Sequence, residues 1–159
     1  MAADEKRNGN DLTADATVDL AIRAYCDGFM ADPRDYYPGV NAARLLFIKG
    51  DERSLSDLQH LLPVVSFSVA RQGGLASGDP WVVATVLELA VIGGDWITAE
   101  RAAGKLMTMV DNAWRLETTA RSLREISTYY ERRDLCDDAK QANELANQLE
   151  RRARSLAGQ

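Results

Sequence analysis

Hydrophobic residues recur along most of this chain at steps of three and four, the spacing of one face of an α-helix. Val18, Ile22, Tyr25 and Phe29 make the first such stripe. Asp32-Pro33 stops it, and residues 32–38 are expected to turn, because Pro33 and Pro38 each push the preceding residue out of the α region. Gly39 then lets the chain re-enter a helix over 40–49, ended by Gly50. Ser54 with Asp57 resembles a capping box and opens a helix that Pro63 should kink or restart. After the loop Gly73-Gly74…Ser77-Gly78, Asp79-Pro80 is a strong start signal for a helix to Ile92. Asp95 caps the next, Asp111-Asn112 breaks the chain before a long helix over 113–132, and Asp134 is expected to cap the last, over 135–156. No segment alternates between polar and apolar residues as a strand would. The pattern therefore predicts an all-α fold of about seven helices. Residues 1–11 read as a flexible tail and 12–157 as a single domain.

A weak repeat runs through these helices. Gly50-Asp51, Gly94-Asp95 and Arg133-Asp134 are tight turns, and small residues four apart follow the last two: Ala99 and Ala103, then Ala142 and Ala146, with Ala139 before them. Helix, tight turn and alanine-faced helix outline a tetratricopeptide repeat, in which small residues allow close packing. The turns lie 44 and 39 residues apart, more than the usual ~34, so the units read as divergent tetratricopeptide-like helix pairs forming a short right-handed solenoid.

Composition narrows the class. The chain has 159 residues, 46% apolar and 27% charged, as expected of one globular domain. Its net charge of −5 argues against non-specific binding to nucleic acid or to an anionic membrane. Cys26 and Cys136 stand far apart without CxxC spacing, residues 1–11 lack an apolar signal core, and no apolar run approaches the ~20 residues of a membrane span. A cytoplasmic protein is expected. One histidine, His60, and two distant cysteines give no zinc spacing, and the glycine-rich loop lacks the lysine of a phosphate-binding loop. No cofactor or metal is expected.

Three segments resemble a known family. The run Asp32-Pro33-Arg34-Asp35-Tyr36-Tyr37-Pro38-Gly39-Val40-Asn41-Ala42-Ala43-Arg44-Leu45-Leu46 is similar to a signature of the TRAFs-binding region of apoptosis signal-regulating kinases. That region is also called the tetratricopeptide-repeat sensor domain and has bacterial versions. Trp81-Val82-Val83-Ala84-Thr85-Val86-Leu87-Glu88 fits a W-x-x-A-T-x-x-E pattern, and Trp114-Arg115-Leu116-Glu117-Thr118 fits W-x-x-E-[ST]. The resemblance spans about residues 15–133 and implies an all-α, non-enzymatic sensor or adaptor. In bacterial settings it further implies recognition of a nucleotide-derived signal in a defence system. The kinase proteins carry this region beside other domains. No kinase fits in 159 residues, so the output is expected from a partner or from a longer chain.

The residues themselves point to the same places. In a tetratricopeptide stack the first helices of successive units line the concave face. Here those helices carry Asn41, Arg44 and Lys49; Trp81, Thr85 and Glu88; and Trp114, Glu117, Thr118, Arg121 and Arg124. Within each set the spacing projects side chains from one side of the helix. Should the three stripes converge, Trp81 and Trp114, or Tyr36 and Tyr37, would stack on a base and Arg44, Arg121 and Arg124 would fork onto phosphate oxygens, while Glu88, Glu117 and Asn41 would hold hydroxyls or base edges. The competing reading is a self-satisfied network, with the arginines paired to Glu88, Glu117 or Glu125. Tyr36 and Tyr37 are read as bracing their turn.

The expected function is a sensor that binds a small, phosphate-bearing, nucleotide-like ligand. The alternative is an adaptor holding a peptide or helix of a signalling protein. A hydrolase using Glu88 or Glu117 is a third and weaker reading. The arginines of the last helix, mixed with Glu144 and Glu150, read as a solvated face or a homo-oligomer contact.

Overall fold

The computed structural model describes residues 2–158, with side chains placed from Asp15 onward. Seven α-helices carry the described chain: α1 (Ala2–Ala31), α2 (Tyr36–Lys49), α3 (Glu52–Arg71), α4 (Pro80–Ile92), α5 (Trp96–Met109), α6 (Ala113–Glu131) and α7 (Cys136–Ala157). A 3-10 turn, Gly74–Ala76, bridges α3 and α4, and no strand occurs among the described residues. The tail expected over 1–11 lies outside the described side chains, and the backbone of α1 is helical across it from Ala2.

Helices adjacent in sequence pack as pairs: α1 on α2, α2 on α3, α4 on α5, α6 on α7. The pairs meet through α2, α4 and α6, each of which touches the other two, an order compatible with stacked helical hairpins. The central helix, α4, is buried on nearly every side, with Val82, Val83, Leu87, Leu89, Ala90, Val91 and Ile92 in the core. Such all-round apolarity marks an interior helix. The alanines predicted to face their neighbours do so: Ala99, Ala103, Ala139, Ala142 and Ala146 are buried, which lets the second helices approach closely.

The repeat is clearest in the turns. Gly50, Gly94 and Asp134 all adopt left-handed backbone, with φ of 64°, 70° and 58°. Two differences from expectation follow. Asp134 does not cap α7; it occupies the left-handed position that glycine holds in the other turns, and Leu135 stands at the N-cap. Asp51, not Ser54, caps α3, its Oδ1 accepting from the Ser54 amide at 2.8 Å.

Three more expectations change near α2 and α3. The turn after Pro33 ends early, because Asp35 caps α2 by accepting from the Tyr37 amide at 3.0 Å. Tyr36, Tyr37 and Pro38 form its first turn, where a missing proline N–H costs no helical bond. Gly39 lies inside α2, where a Cβ would sit 2.7 Å from Val65 and 2.9 Å from Phe29. Its role is to let α2 press against α1 and α3. The helix α3 continues through Pro63, which lies on the exposed side, so the Gln59 carbonyl that loses its partner faces water.

Polar contacts lock the helices together. The Tyr130 hydroxyl donates to the Val91 carbonyl at 2.6 Å, and burial, with Asp138 nearby, pushes its phenol up to about 12. The Trp96 indole donates to Asp138 at 2.9 Å, tying α5 to α7. Arg133 donates to the Phe47 carbonyl and lies over the Phe47 ring at 4.5 Å, tying the α6–α7 turn to the end of α2. No helix is long and apolar enough to cross a membrane among the described residues.

Candidate functional site

Where α2, α4 and α6 meet they enclose an open cleft of about 530 Å³. The helix α2 contributes Tyr36, Tyr37, Val40, Asn41 and Arg44 to its lining. From α4 and its cap come Asp79, Trp81, Ala84, Thr85 and Glu88, and from α6 Thr118, Thr119 and Ser122. The spacing 81, 84, 85, 88 is one stripe of a helix, which is why a single face of α4 forms a whole wall.

Six predicted residues thus come together: Asn41, Arg44, Trp81, Thr85, Glu88 and Thr118. Trp114 stands at the rim, its ring 5.6 Å from that of Trp81 at a 52° tilt. Arg115 lies over both rings, at 5.2 and 5.5 Å, and holds the pair as a unit. The remaining three lie elsewhere. Glu117 and Arg121 are exposed and do not line the cleft. Arg124 turns to α7, where Glu150 accepts from its Nε and Nη2 at 2.9 Å and Asn143 and Asn147 accept at 3.1 and 2.7 Å. The guanidinium cluster expected for a phosphate is therefore not assembled.

The reason is angular. At about 100° per residue, Glu117, Arg121 and Arg124 sit on one flank of the apolar stripe of α6 and Thr118 and Ser122 on the other. On the first flank Arg124 meets α7 while Glu117 and Arg121 are left exposed, and the second flank faces the cleft.

Electrostatically the cleft centres on Glu88, whose side chain is 18% exposed. Arg44 Nε lies 3.7 Å from its carboxylate, while Arg44 Nη1 donates to Ser122 Oγ at 3.3 Å and approaches Glu125 at 3.9 Å. This is part of the self-satisfied network anticipated for Arg44. Burial raises the Glu88 pKa; Glu125 pushes the same way and Arg44 opposes them. Several hydroxyl and amide donors are committed within their own helices. Asn41 Nδ2 donates to the Tyr37 carbonyl at 2.8 Å, Thr85 to Trp81 at 2.9 Å, and Thr118 to Trp114 at 2.8 Å.

Tyr36 and Tyr37, weighed as an alternative stacking pair but read as bracing their turn, both line the cleft, and Tyr37 is 62% exposed. Sequence reasoning missed Asp79, Arg115 and Ser122 as site residues. The signal for Tyr36 and Tyr37 was Asp35, whose capping starts α2 early enough to carry them. No group of three or more His, Cys, Asp or Glu able to hold a metal occurs among the described residues. His60 is exposed, its Nδ1 2.8 Å from the Ser56 carbonyl.

A protein-family model described as the MAP3K TRAFs-binding domain matches residues 5–147. No curated protein matches, and no solved structure does. The match agrees with the motif resemblance, and ten of the thirteen residues that line the cleft, from Tyr36 and Asn41 to Trp81, Glu88 and Thr118, lie in the segments that carry that resemblance. The chain belongs to the MAP3K TRAFs-binding domain family.

Proposed function

We propose that this chain is a non-enzymatic interaction module that holds a peptide or helix of a signalling protein against the face formed by α2, α4 and α6. One observation carries the reading. Trp81, Trp114 and Tyr37 are 41%, 52% and 62% exposed and lie on or beside one cleft, with Arg115 bracing the two tryptophans. Trp, Tyr and Arg are the residues that most often dominate protein interfaces, because they bury large rigid surfaces. The family description, a TRAFs-binding domain, supports a protein occupant.

The rival occupant, a nucleotide-derived ligand, draws on the cleft volume of about 530 Å³. It finds one lining guanidinium, Arg44, already shared between two carboxylates. A phosphate would meet more negative than positive charge there.

The test is a displayed peptide library selected on the wild-type chain and counter-selected on Trp81→Ala. Enriched peptides are expected to lose at least tenfold in affinity on Trp81→Ala, and nucleotides and NAD derivatives to leave the melting temperature unmoved. No enriched peptide, with a nucleotide that raises the melting temperature, would reverse the assignment. Turnover of any substrate that disappears in Glu88→Gln would contradict the non-enzymatic part.

A further inference from the structure

Glu88 is the only ionisable residue in α4, a helix otherwise buried among apolar neighbours. Placing a carboxylate there is costly unless something compensates it. Arg44 compensates it incompletely. Its nearest nitrogen is 3.7 Å away, beyond hydrogen-bond reach, and the same guanidinium also serves Ser122 and Glu125. Among the described residues no donor hydrogen-bonds the Glu88 carboxylate, which faces the cleft. Its acceptor sites are free.

The surroundings share that sign. Asp79 and Glu88 line the cleft against Arg44, with Arg115 over Trp81 beside it; Asp79 Oδ1 accepts from the Trp81 amide at 2.8 Å, and Glu125, beside Arg44, adds a third carboxylate. Tyr36, Tyr37 and Trp81 supply aromatic rings in the same lining. A largely buried carboxylate, Glu88, in a hollow with aromatic rings in its lining suits a cation, since ring faces carry negative charge and a guanidinium can stack on a ring while donating to a carboxylate.

We infer that the α2–α4–α6 cleft takes a basic side chain, arginine ahead of lysine, projecting from the partner segment, with its head group on Glu88 and its stem against the aromatic wall. This rests on the interaction reading above and names the chemistry of the partner.

The library selection tests it further. Enriched peptides are expected to share one arginine, and replacing that residue by citrulline, which keeps the shape and removes the charge, should cost tenfold or more in Kd on the wild-type chain. Glu88→Gln should cost as much with the arginine peptide and almost nothing further with the citrulline peptide. Glu100→Gln, on α5 away from the cleft, should bind as wild type does. The citrulline arm uses an unaltered protein, so it stands whether or not a variant folds. Peptides that depend on Trp81 but lack a basic residue, or that tolerate citrulline, overturn the basic-residue assignment and leave the interaction reading intact. The absence of any Trp81-dependent peptide overturns both.

Discussion

A single carboxylate in an apolar helix trades stability against recognition. The Glu88 pKa is raised by burial and by Glu125 and is held down in part by Arg44. Asp79 and Tyr36 face the same cleft. A carboxyl whose folded-state pKa exceeds its unfolded value stabilises the fold while protonated, and that contribution is lost as pH rises through the folded pKa. Glu88 therefore weakens the fold at neutral pH and ceases to do so in acid. Glu88→Gln keeps the shape without the charge, and Arg44 retains Ser122 and Glu125. At neutral pH the variant is expected to melt about 2–4 °C above wild type, with the difference shrinking as pH falls through the raised folded-state pKa and gone once it drops below the usual carboxylate range. Thermal scans across pH check this. A lower melting point for the variant at neutral pH would show that the Arg44–Glu88 pair outweighs the cost of burial. A gain in stability with a loss in binding is the pattern expected of a residue retained for function.

At the scale of elements, the three tight turns make a matched set with one odd member. Gly50 and Gly94 reach left-handed backbone freely, but Asp134 holds a φ of 58° with a side chain. Left-handed backbone costs an L-residue roughly 1–2 kcal/mol, part of which glycine returns through a more flexible unfolded chain. Asp134→Gly is expected to stabilise the fold by about 0.5–1 kcal/mol, read from urea unfolding midpoints at constant slope. Destabilisation would mean that the Asp134 side chain supports the turn. These turns were legible because glycine before aspartate signals a stop and a start together, and Arg133-Asp134 copied the outline with its left-handed residue one place later. The stripe of α4 was legible because Thr85 and Glu88 are the few polar positions of an otherwise apolar helix; that of α2 was legible in part, since Asn41 and Arg44 reach the cleft while Lys49 turns to Asp19 and Asp51. Arg124 was not legible. The long helix α6 touches α2, α4 and α7, and spacing alone does not say which flank meets which neighbour. Only the facing Glu150, Asn143 and Asn147, on another element, fix its direction. Pro38 misled for the opposite reason, since a proline reads as a break while a first helical turn accepts it.

For the whole molecule, the central claim is that three first helices from different units converge on one recognition cleft, and that the remaining surface is scaffold. The three tryptophans divide along that line. Trp81 lines the cleft and Trp114 stands beside it, while the Trp96 indole is held by Asp138 between α5 and α7. The indole N–H resonances thus report on the two regions separately in one spectrum. Titration of the ¹⁵N-labelled chain with an arginine peptide enriched by selection is the most direct measurement. The expected result is saturable movement of the Trp81 and Trp114 indole signals with Trp96 stationary, and the same movement with the citrulline peptide only at concentrations at least tenfold higher. Binding that shifts Trp96 and leaves Trp81 and Trp114 in place would put the recognition surface on another face and contradict the account.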